Sequence, residues 1–356
     1  MKILIVHPFG IGDVLFSLPM VNALRQTYPD AFIGYLCNRR TEQLVAIWPQ
    51  VNRHFVFEKD EFRSAWRSSK TTGTRHLLKI LRAIRAERFD IVIDLSLGWH
   101  MGLASRMAGI PKRIGFDFRG RGRFLTHKLP LSGFQNKPVA DYYLDLLTPL
   151  GIKRPSKIHC ELTLPSSCSS QVDEFLASHR IQAGERLVGI VPGGGASWGA
   201  SAVFKQWPPE KFAEAADALV AGHKTRVILF GDKQEASLCR KIAKRMTQPP
   251  IEATRISSLV LLAGILKRCH LVIGNDSGPM HLAAAVGTKT VSIFGPVDAI
   301  VYGPVSPDPD RHRVVTRPLA CRPCYQQFRF PPCPWDNACL KELPVSHVME
   351  AAAALL

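Results

Sequence analysis

Apolar positions along this chain follow two alternating rhythms. Short unbroken runs, the pattern of a strand covered on both faces, recur at KILIV (2–6), AFIGYLC (31–37), FDIVIDLSL (89–97), RLVGIVPGG (186–194), TRVILFG (225–231), LVIGNDSG (271–278) and TVSIFGP (290–296). Between them lie stretches with apolar residues three and four apart, the spacing of one helix face. These are GIGDVLFSLPMVNALRQTYP (10–29), read as a glycine turn and one amphipathic helix, RHLLKILRAIRAERF (75–89), PEKFAEAADALVAG (209–222), EASLCRKIAKRM (235–246) and ISSLVLLAGILKRC (256–269). The 75–89 stretch sets Leu77, Leu78, Ile80, Leu81 and Ile84 on one side, with Arg75, Lys79, Arg82 and Arg85 on the other. Pro209 and Gly222 bracket their helix at the ends where proline and glycine belong.

Strands alternating with helices predict parallel sheets with crossover helices, so the fold class is α/β. The series runs twice, joined near 155–175. That predicts two Rossmann-like domains with parallel sheets facing a central cleft, at 1–165 and 175–345, and a C-terminal helix at 346–356. In open parallel sheets, ligands gather outside the carboxyl ends of the strands. Four loops follow strands here: HPFGIGD (7–13), PGGGASWGASAVFKQWP (192–208), FGDKQE (230–235) and GNDSGPMH (274–281). The last joins glycines, a hydroxyl and the Asp276 carboxylate to an Ala-rich helix start. Glycine admits close approach of backbone to a ligand, and a helix start offers unpaired N–H groups to an anion. Taken alone, the turn reads first as a simple strand-to-helix connection with Asp or Ser as its cap.

Composition narrows the classes. The chain has 356 residues, 46% of them hydrophobic, enough for two real cores, and no apolar run long enough to span a bilayer. The opening apolar run, Ile3 to Val6, is short and soon followed by His7 and Asp13. That is not the pattern of a signal peptide, and a cytoplasmic location is expected. The net charge of +17 is uneven: residues 1–165 hold 25 Lys and Arg against 13 Asp and Glu, the rest 21 against 16. A basic half implies an anionic partner, whether nucleic acid, an acidic membrane surface or a phosphorylated substrate. No helix-turn-helix, zinc-finger or RNP pattern is present, and the basic stretches lack regularly spaced stacking aromatics. Specific nucleic-acid binding is therefore not expected.

Four pieces, in order and at their separations, resemble glycosyltransferase family 9, the heptosyltransferases of lipopolysaccharide core assembly. They are MKILIVHPFGIGDVLFSLP, FKQWPPEKFAEAADAL, GNDSGPMHLAAAVGTKTVSIFGP and CRPC. The resemblance spans nearly the whole chain and implies the GT-B architecture, with an acceptor-binding N-terminal domain and a nucleotide-sugar-binding C-terminal one. It implies inverting transfer of a heptose from ADP-heptose to a lipopolysaccharide core or lipid A acceptor, peripherally at the cytoplasmic face of the inner membrane. Carried over by motif, Asp13 is the general base and Lys205 the phosphate-binding cation. Asp276, Ser277, Gly278 and His281, with Gly193, Gly194 and Glu235, bind the donor. The sequence departs from the family pattern at His7, in the long glycine loop after Pro192, and at DLSLGW after Ile93. These departures leave room for another nucleotide sugar or glycan acceptor within the same reaction class.

The chemistry of these residues suits the roles. Inverting transfer needs an acceptor hydroxyl deprotonated as it attacks, and one carboxylate suffices. Asp13, between Gly12 and an apolar helix, fits that need and fits a helix cap equally well. A departing diphosphate gathers charge that Lys205 and a helix start would stabilise. No His–carboxylate cluster that must hold Mg²⁺ stands out, so a metal-independent mechanism without cofactors is expected. The last four cysteines, Cys321, Cys324, Cys333 and Cys339, begin with a zinc-like pair, but the second pair is too widely spaced for a zinc ribbon. Zinc, a local disulfide and plain packing all remain open there. KRIGFDFRGRGRFLTHK (112–128) gathers Lys112, Arg113, Arg119, Arg121, Arg123 and Lys128 against Asp117 alone. With the Arg75 face, it is the expected contact with the acceptor and an anionic membrane surface.

Overall fold

The structure, a computed structural model, describes residues 1–58, 61, 64, 69–158, 160–306 and 308–356. The chain forms two compact units: Met1–Phe134 with Val139–Ile158, and Gln135–Pro138 with His159–Leu356. The division falls before the expected junction near 155–175 has run its course. The backbone N–H groups of Cys160 and Leu162 donate to the carbonyls of Val305 (3.1 Å) and Ala285 (2.8 Å), which ties this extended stretch to the second unit.

Among the described residues the first unit holds six strands: β1 (Lys2–Val6), β2 (Phe32–Cys37), β3 (Arg53–Val56), β4 (Ile91–Asp94), β5 (Lys112–Phe118) and β6 (His127–Leu131). They pair in the order β3-β2-β1-β4-β5-β6, every pair parallel. Its helices are α1 (Ile11–Phe16), α2 (Leu18–Thr27), α3 (Glu42–Ala46), α4 (Lys70–Glu87), α5 (Trp99–Met107) and α6 (Val139–Asp145). The helix expected over 10–29 is in fact two. Pro19 cannot extend the hydrogen-bond ladder, and the Ser17 hydroxyl donates back to the Val14 carbonyl at 2.7 Å, so the chain breaks at Ser17. Leu81 and Ile84 of α4 are buried as expected, but Leu78 is exposed among Arg75, Lys79 and Arg82. The Leu77 side chain lies outside the described residues.

The second unit repeats the plan with β7 (Leu187–Val191), β8 (Arg226–Phe230), β9 (Ile251–Ala253), β10 (Leu271–Asn275), β11 (Thr290–Phe294) and β12 (His312–Thr316). Their order is β12-β11-β10-β7-β8-β9, again all parallel. Its helices are α7 (Cys168–Ser178), α8 (Pro209–His223), α9 (Ala236–Ala243), α10 (Leu259–Arg268), α11 (Gly278–Ala285), α12 (Ala299–Tyr302), α13 (Ala338–Lys341) and α14 (Val345–Ala353). Helix α14 belongs to this core, with its Val348 and Ala352, and Leu355 just past its end, packed in one cluster with Trp207, Phe212 and Leu219. Both sheets have the Rossmann strand order, which reverses direction between β1 and β4 in one and between β7 and β10 in the other. Such switch points open crevices at the carboxyl ends of the flanking strands. No helix among the described residues is long and apolar enough to cross a membrane.

Candidate functional site

The carboxyl ends of β7 and β10 carry a buried ionic cluster. Asp276, the first residue past β10, is fixed by its own N–H donating to the Ile293 carbonyl at 3.0 Å. Its Oδ2 pairs with Lys205 Nζ at 2.7 Å and its Oδ1 faces His281 Nε2 at 3.5 Å. The three side chains are 6%, 4% and 10% exposed, so little water screens the pairing. Burial pushes the Asp276 carboxyl up, but the adjacent Lys205 ammonium and His281 outweigh it and hold the group below the usual carboxylate range. Ser277 takes the cap position of α11, yet its hydroxyl caps nothing and is buried with no partner among the described residues. A buried unpaired hydroxyl is costly, and a ligand oxygen would satisfy it.

Lys205 is held there by a residue that motif reading passed over. Asn275, fully buried at the end of β10, donates Nδ2–H to the Pro192 carbonyl at 2.7 Å. Its Oδ1 accepts the Trp207 N–H at 3.0 Å. One side chain thus ties the glycine loop, the Lys205 segment and the Asp276 turn together. The signal was present in GNDSG, but its meaning depends on contacts distant in sequence. Between Gly195 and Gln206 the chain forms tight 3₁₀ turns broken at Gly199, where φ is +55° and ψ is −132°, a conformation that glycine alone adopts readily. Glu235 comes from the loop after β8. Its Oε2 accepts the Asp232 N–H at 3.2 Å, and a Cβ at Gly193 would stand 1.8 Å from its Oε1. Any side chain at Gly193 would displace this carboxyl, which burial pushes up.

The first unit carries Asp13 at the third position of α1, where its Oδ2 accepts the Gly10 N–H at 3.2 Å. This corrects the capping alternative: Gly10 is the cap, and Asp13 closes the first turn from inside. Beside it in sequence, His7 is wholly buried between the rings of Phe9 and Tyr143, both edge-on at 5.7 and 5.2 Å. Neither ring nitrogen makes a hydrogen bond of normal geometry among the described residues, and burial, opposed in part by the Asp13 backbone, lowers its pKa to about 3. Asp94 ends β4 in register with Val6. Burial raises its pKa to about 6 even though Oδ1 accepts the Ser96 N–H at 2.9 Å. Nothing in the sequence marks this raised carboxyl at the switch point, because FDIVIDLSL reads simply as a strand.

The basic stretch at 112–128 divides. Lys112 Nζ donates to the Pro149 carbonyl at 2.8 Å, and Arg113 donates to the Phe124 and Ile110 carbonyls at 2.7 and 2.6 Å. Both therefore serve the fold of the first unit. Lys128 faces Asp117 at 3.5 Å. The outward charge is carried by exposed Arg119, Arg121 and Arg123, the last with its guanidinium 4.6 Å from the Trp99 ring. Arg75, Lys79, Arg82 and Arg85 are exposed along α4. All nine cysteines are free thiols, with Cys321 and Cys333 exposed, Cys324 half-buried and Cys339 buried. Among the described residues no group of three or more His, Cys, Asp or Glu is arranged to hold a metal.

Likeness to known proteins bears on identity. The sequence profile of glycosyltransferase family 9 (heptosyltransferase) matches residues 77–329. Lipopolysaccharide heptosyltransferase 3 of Escherichia coli is 30% identical over 304 residues, 83% of this chain and 84% of that protein. A solved family 9 glycosyltransferase of Veillonella parvula superposes with a TM-score of 0.81 at 24% identity, covering 99% of this chain and 96% of that one. The E. coli heptosyltransferase WaaC, solved with ADP, superposes with a TM-score of 0.73 at 20% identity over the whole of both chains. With the profile spanning most of its length and two parallel Rossmann-like sheets beneath it, the chain belongs to glycosyltransferase family 9.

Proposed function

We propose that this protein transfers a heptose from ADP-heptose, with inversion, to a lipopolysaccharide core or lipid A acceptor. The observation that carries the donor half is the buried Lys205–Asp276–His281 cluster beside the unpaired Ser277 hydroxyl, at a switch point of a family 9 chain. The ADP held by one similar heptosyltransferase supports an adenosine diphosphate leaving group. In this reading the second unit binds the nucleotide sugar. Lys205 and the Gly278 N–H at the start of α11 meet the diphosphate oxygens as charge gathers on them, since Pro279 has no N–H and those of Met280 and His281 donate to the Ser277 carbonyl. Ser277 and His281 donate to the phosphate or sugar, while Glu235 against Gly193, with Gly194 next in the loop, holds the nucleoside side. The first unit binds the acceptor, and Asp13 accepts the hydroxyl proton as the oxygen attacks the anomeric carbon. The diphosphate leaves from the opposite face, and the step needs no metal ion.

The acceptor is borne on a lipid, and the exposed arginines and lysine of α4, with Arg119, Arg121 and Arg123, suit an anionic membrane surface. On this reading the enzyme works peripherally at the cytoplasmic face of the inner membrane. Each such cation contributes about 1 kcal/mol near that surface. Replacing Arg119, Arg121 and Arg123 with Gln lowers partitioning onto anionic vesicles in a salt-dependent way; unchanged partitioning removes this part of the reading.

Isothermal titration with ADP-heptose, ADP-mannose, UDP-glucose and ADP, repeated on Lys205→Ala and Asp276→Ala, tests the donor assignment. Tightest binding of ADP-heptose, weakened by both substitutions, is the expected result. Preference for a uridine donor would keep the family and remove the heptosyl assignment.

A further inference from the structure

The Lys205 ammonium has a second neighbour that no carboxylate chemistry requires. The Trp198 ring lies over Nζ with its centroid 4.4 Å away. Trp198 is itself held by rings from far along the chain. Tyr325 meets it edge-on at 4.8 Å, Phe330 lies tilted at 5.1 Å, and those two rings are 4.8 Å apart. Tyr325 and Phe330 belong to the segment bounded by Cys324 and Cys333, whose part in the fold the donor chemistry leaves unexplained. On its inner side Trp198 lies against the glycine loop. Its backbone N–H donates to the Gly195 carbonyl at 3.1 Å, and a Cβ at Gly195 would stand 3.3 Å from Trp198 Cδ1 and 3.9 Å from Ser277 Cβ. The indole therefore touches both the cation and the loop beside the unpaired hydroxyl.

We propose that Trp198, braced by Tyr325 and Phe330, is a positioning residue that holds the Lys205 ammonium in the diphosphate cradle. The proposal rests on the donor reading above and adds to it a role for the cysteine-bearing segment. A lysine stem has four rotatable bonds, and ordering it when the ligand arrives costs affinity. Asp276 fixes the ammonium through one oxygen only. The electron-rich ring face supplies a second, non-competing restraint. A diphosphate oxygen can then take a remaining N–H of Lys205 without first displacing a bound acceptor group. Because Lys205 is nearly sealed from water, the attraction to the ring is not diluted by hydration. A contact between the exposed and the fully desolvated limits corresponds to about 5- to 30-fold in affinity.

The test is calorimetric titration with ADP on the full chain, comparing Trp198→Phe, Trp198→Leu, Phe330→Leu and Lys205→Ala, with melting temperatures alongside. Trp198→Leu is expected to weaken ADP roughly 5- to 30-fold, while Trp198→Phe, which keeps a π face, stays within about threefold of wild type. Phe330→Leu, which removes a brace, falls between them. Equal losses in the Phe and Leu variants, or ADP binding unchanged in Trp198→Leu, would overturn the proposal. Should Trp198→Leu fail to fold, uniform incorporation of fluorinated tryptophan drains the ring face with little change of shape. It should weaken ADP binding in the wild-type chain and have no effect in Trp198→Phe; no loss in the wild type overturns the proposal equally. Lys205→Ala separates the two levels. If it leaves ADP binding intact, the donor reading itself falls; if it weakens binding while Trp198→Leu does not, only the role of Trp198 falls.

Discussion

Replacing Lys205 with Met removes the ammonium but keeps most of the stem, and so isolates the charge. The partner left behind, Asp276, is 6% exposed with its Oδ2 2.7 Å from the missing nitrogen. Stranding one member of a buried pair costs about 3–5 kcal/mol. His281 still faces Oδ1 at 3.5 Å, which puts the expected loss at the lower end of that range, about 3 kcal/mol. The cost also acquires a pH dependence whose sign follows from linkage. In the wild type the Asp276 carboxyl sits below its ordinary value, so its contribution to stability is present above the unfolded value of about 3.9. That contribution is lost as pH falls through the folded value. Without Lys205, burial is the dominant influence and the folded carboxyl moves above its unfolded value. The folded variant then binds the proton more tightly than the unfolded chain, and its deficit grows as pH rises above about 4. Hydrogen exchange of the β7 and β10 amides reads this locally, as the ratio of wild-type to variant protection at pH 5 and at pH 8. A ratio of roughly 10² at pH 8, shrinking at pH 5, is expected, since each 1.4 kcal/mol is tenfold. Adding Asp276→Asn to Lys205→Met should restore most of the protection. A ratio near one at pH 8, or one that does not change with pH, would refute the reasoning.

Three further outcomes follow from the two switch points. Asp13→Asn keeps the Gly10 hydrogen bond but cannot take a proton; transfer should fall about 10²–10⁴-fold while calorimetric ADP binding stays at the wild-type level. His7 is neutral in the fold down to about pH 3, whereas the unfolded chain takes up a proton near 6.5. The first unit should therefore lose about 1.4 kcal/mol per pH unit from this residue as pH falls through that window, and urea denaturation of His7→Leu should show this slope removed. Asn275→Ala leaves the Pro192 carbonyl and the Trp207 N–H without their partner; about 2–5 kcal/mol of stability should be lost for the two together, seen as a lower urea midpoint, with ADP binding weakened as Lys205 loses its anchor.

Legibility followed burial. The strands buried on both faces, β1, β2, β4, β7, β8, β10 and β11, were read directly, because a run of branched apolar residues admits little else. The strands β3, β5, β6, β9 and β12 were not singled out. They are short or polar: His127–Leu131 is largely exposed, and Lys112–Phe118 opens with two basic residues, so neither carries the apolar signature. The same limit applies to charge. Lys112 and Arg113 look like Arg121 and Arg123 in the sequence, and only the carbonyls they reach separate fold-serving cations from outward ones. In the candidate site, Lys205, Asp276, Ser277 and His281 were legible as motif residues. Asn275, Trp198 and Asp94 were not, since each acts through partners dozens of residues away or through burial alone.

The amino-acid sequence by itself determined the alternation of strand and helix, its duplication, and the turn chemistry that places glycines, hydroxyls and carboxylates after buried strands. These are local properties: side-chain period, backbone freedom and capping act within a few residues. The tertiary structure alone decided which strand ends lie together, because the reversal of order at β1/β4 and β7/β10 is a property of whole sheets. It also decided that Lys205 faces Asp276 rather than water and that a ring from Trp198 covers it. His7 is neutral for the same kind of reason. Burial and opposing charge set the state of an ionisable group, and both are supplied by residues that only folding brings near.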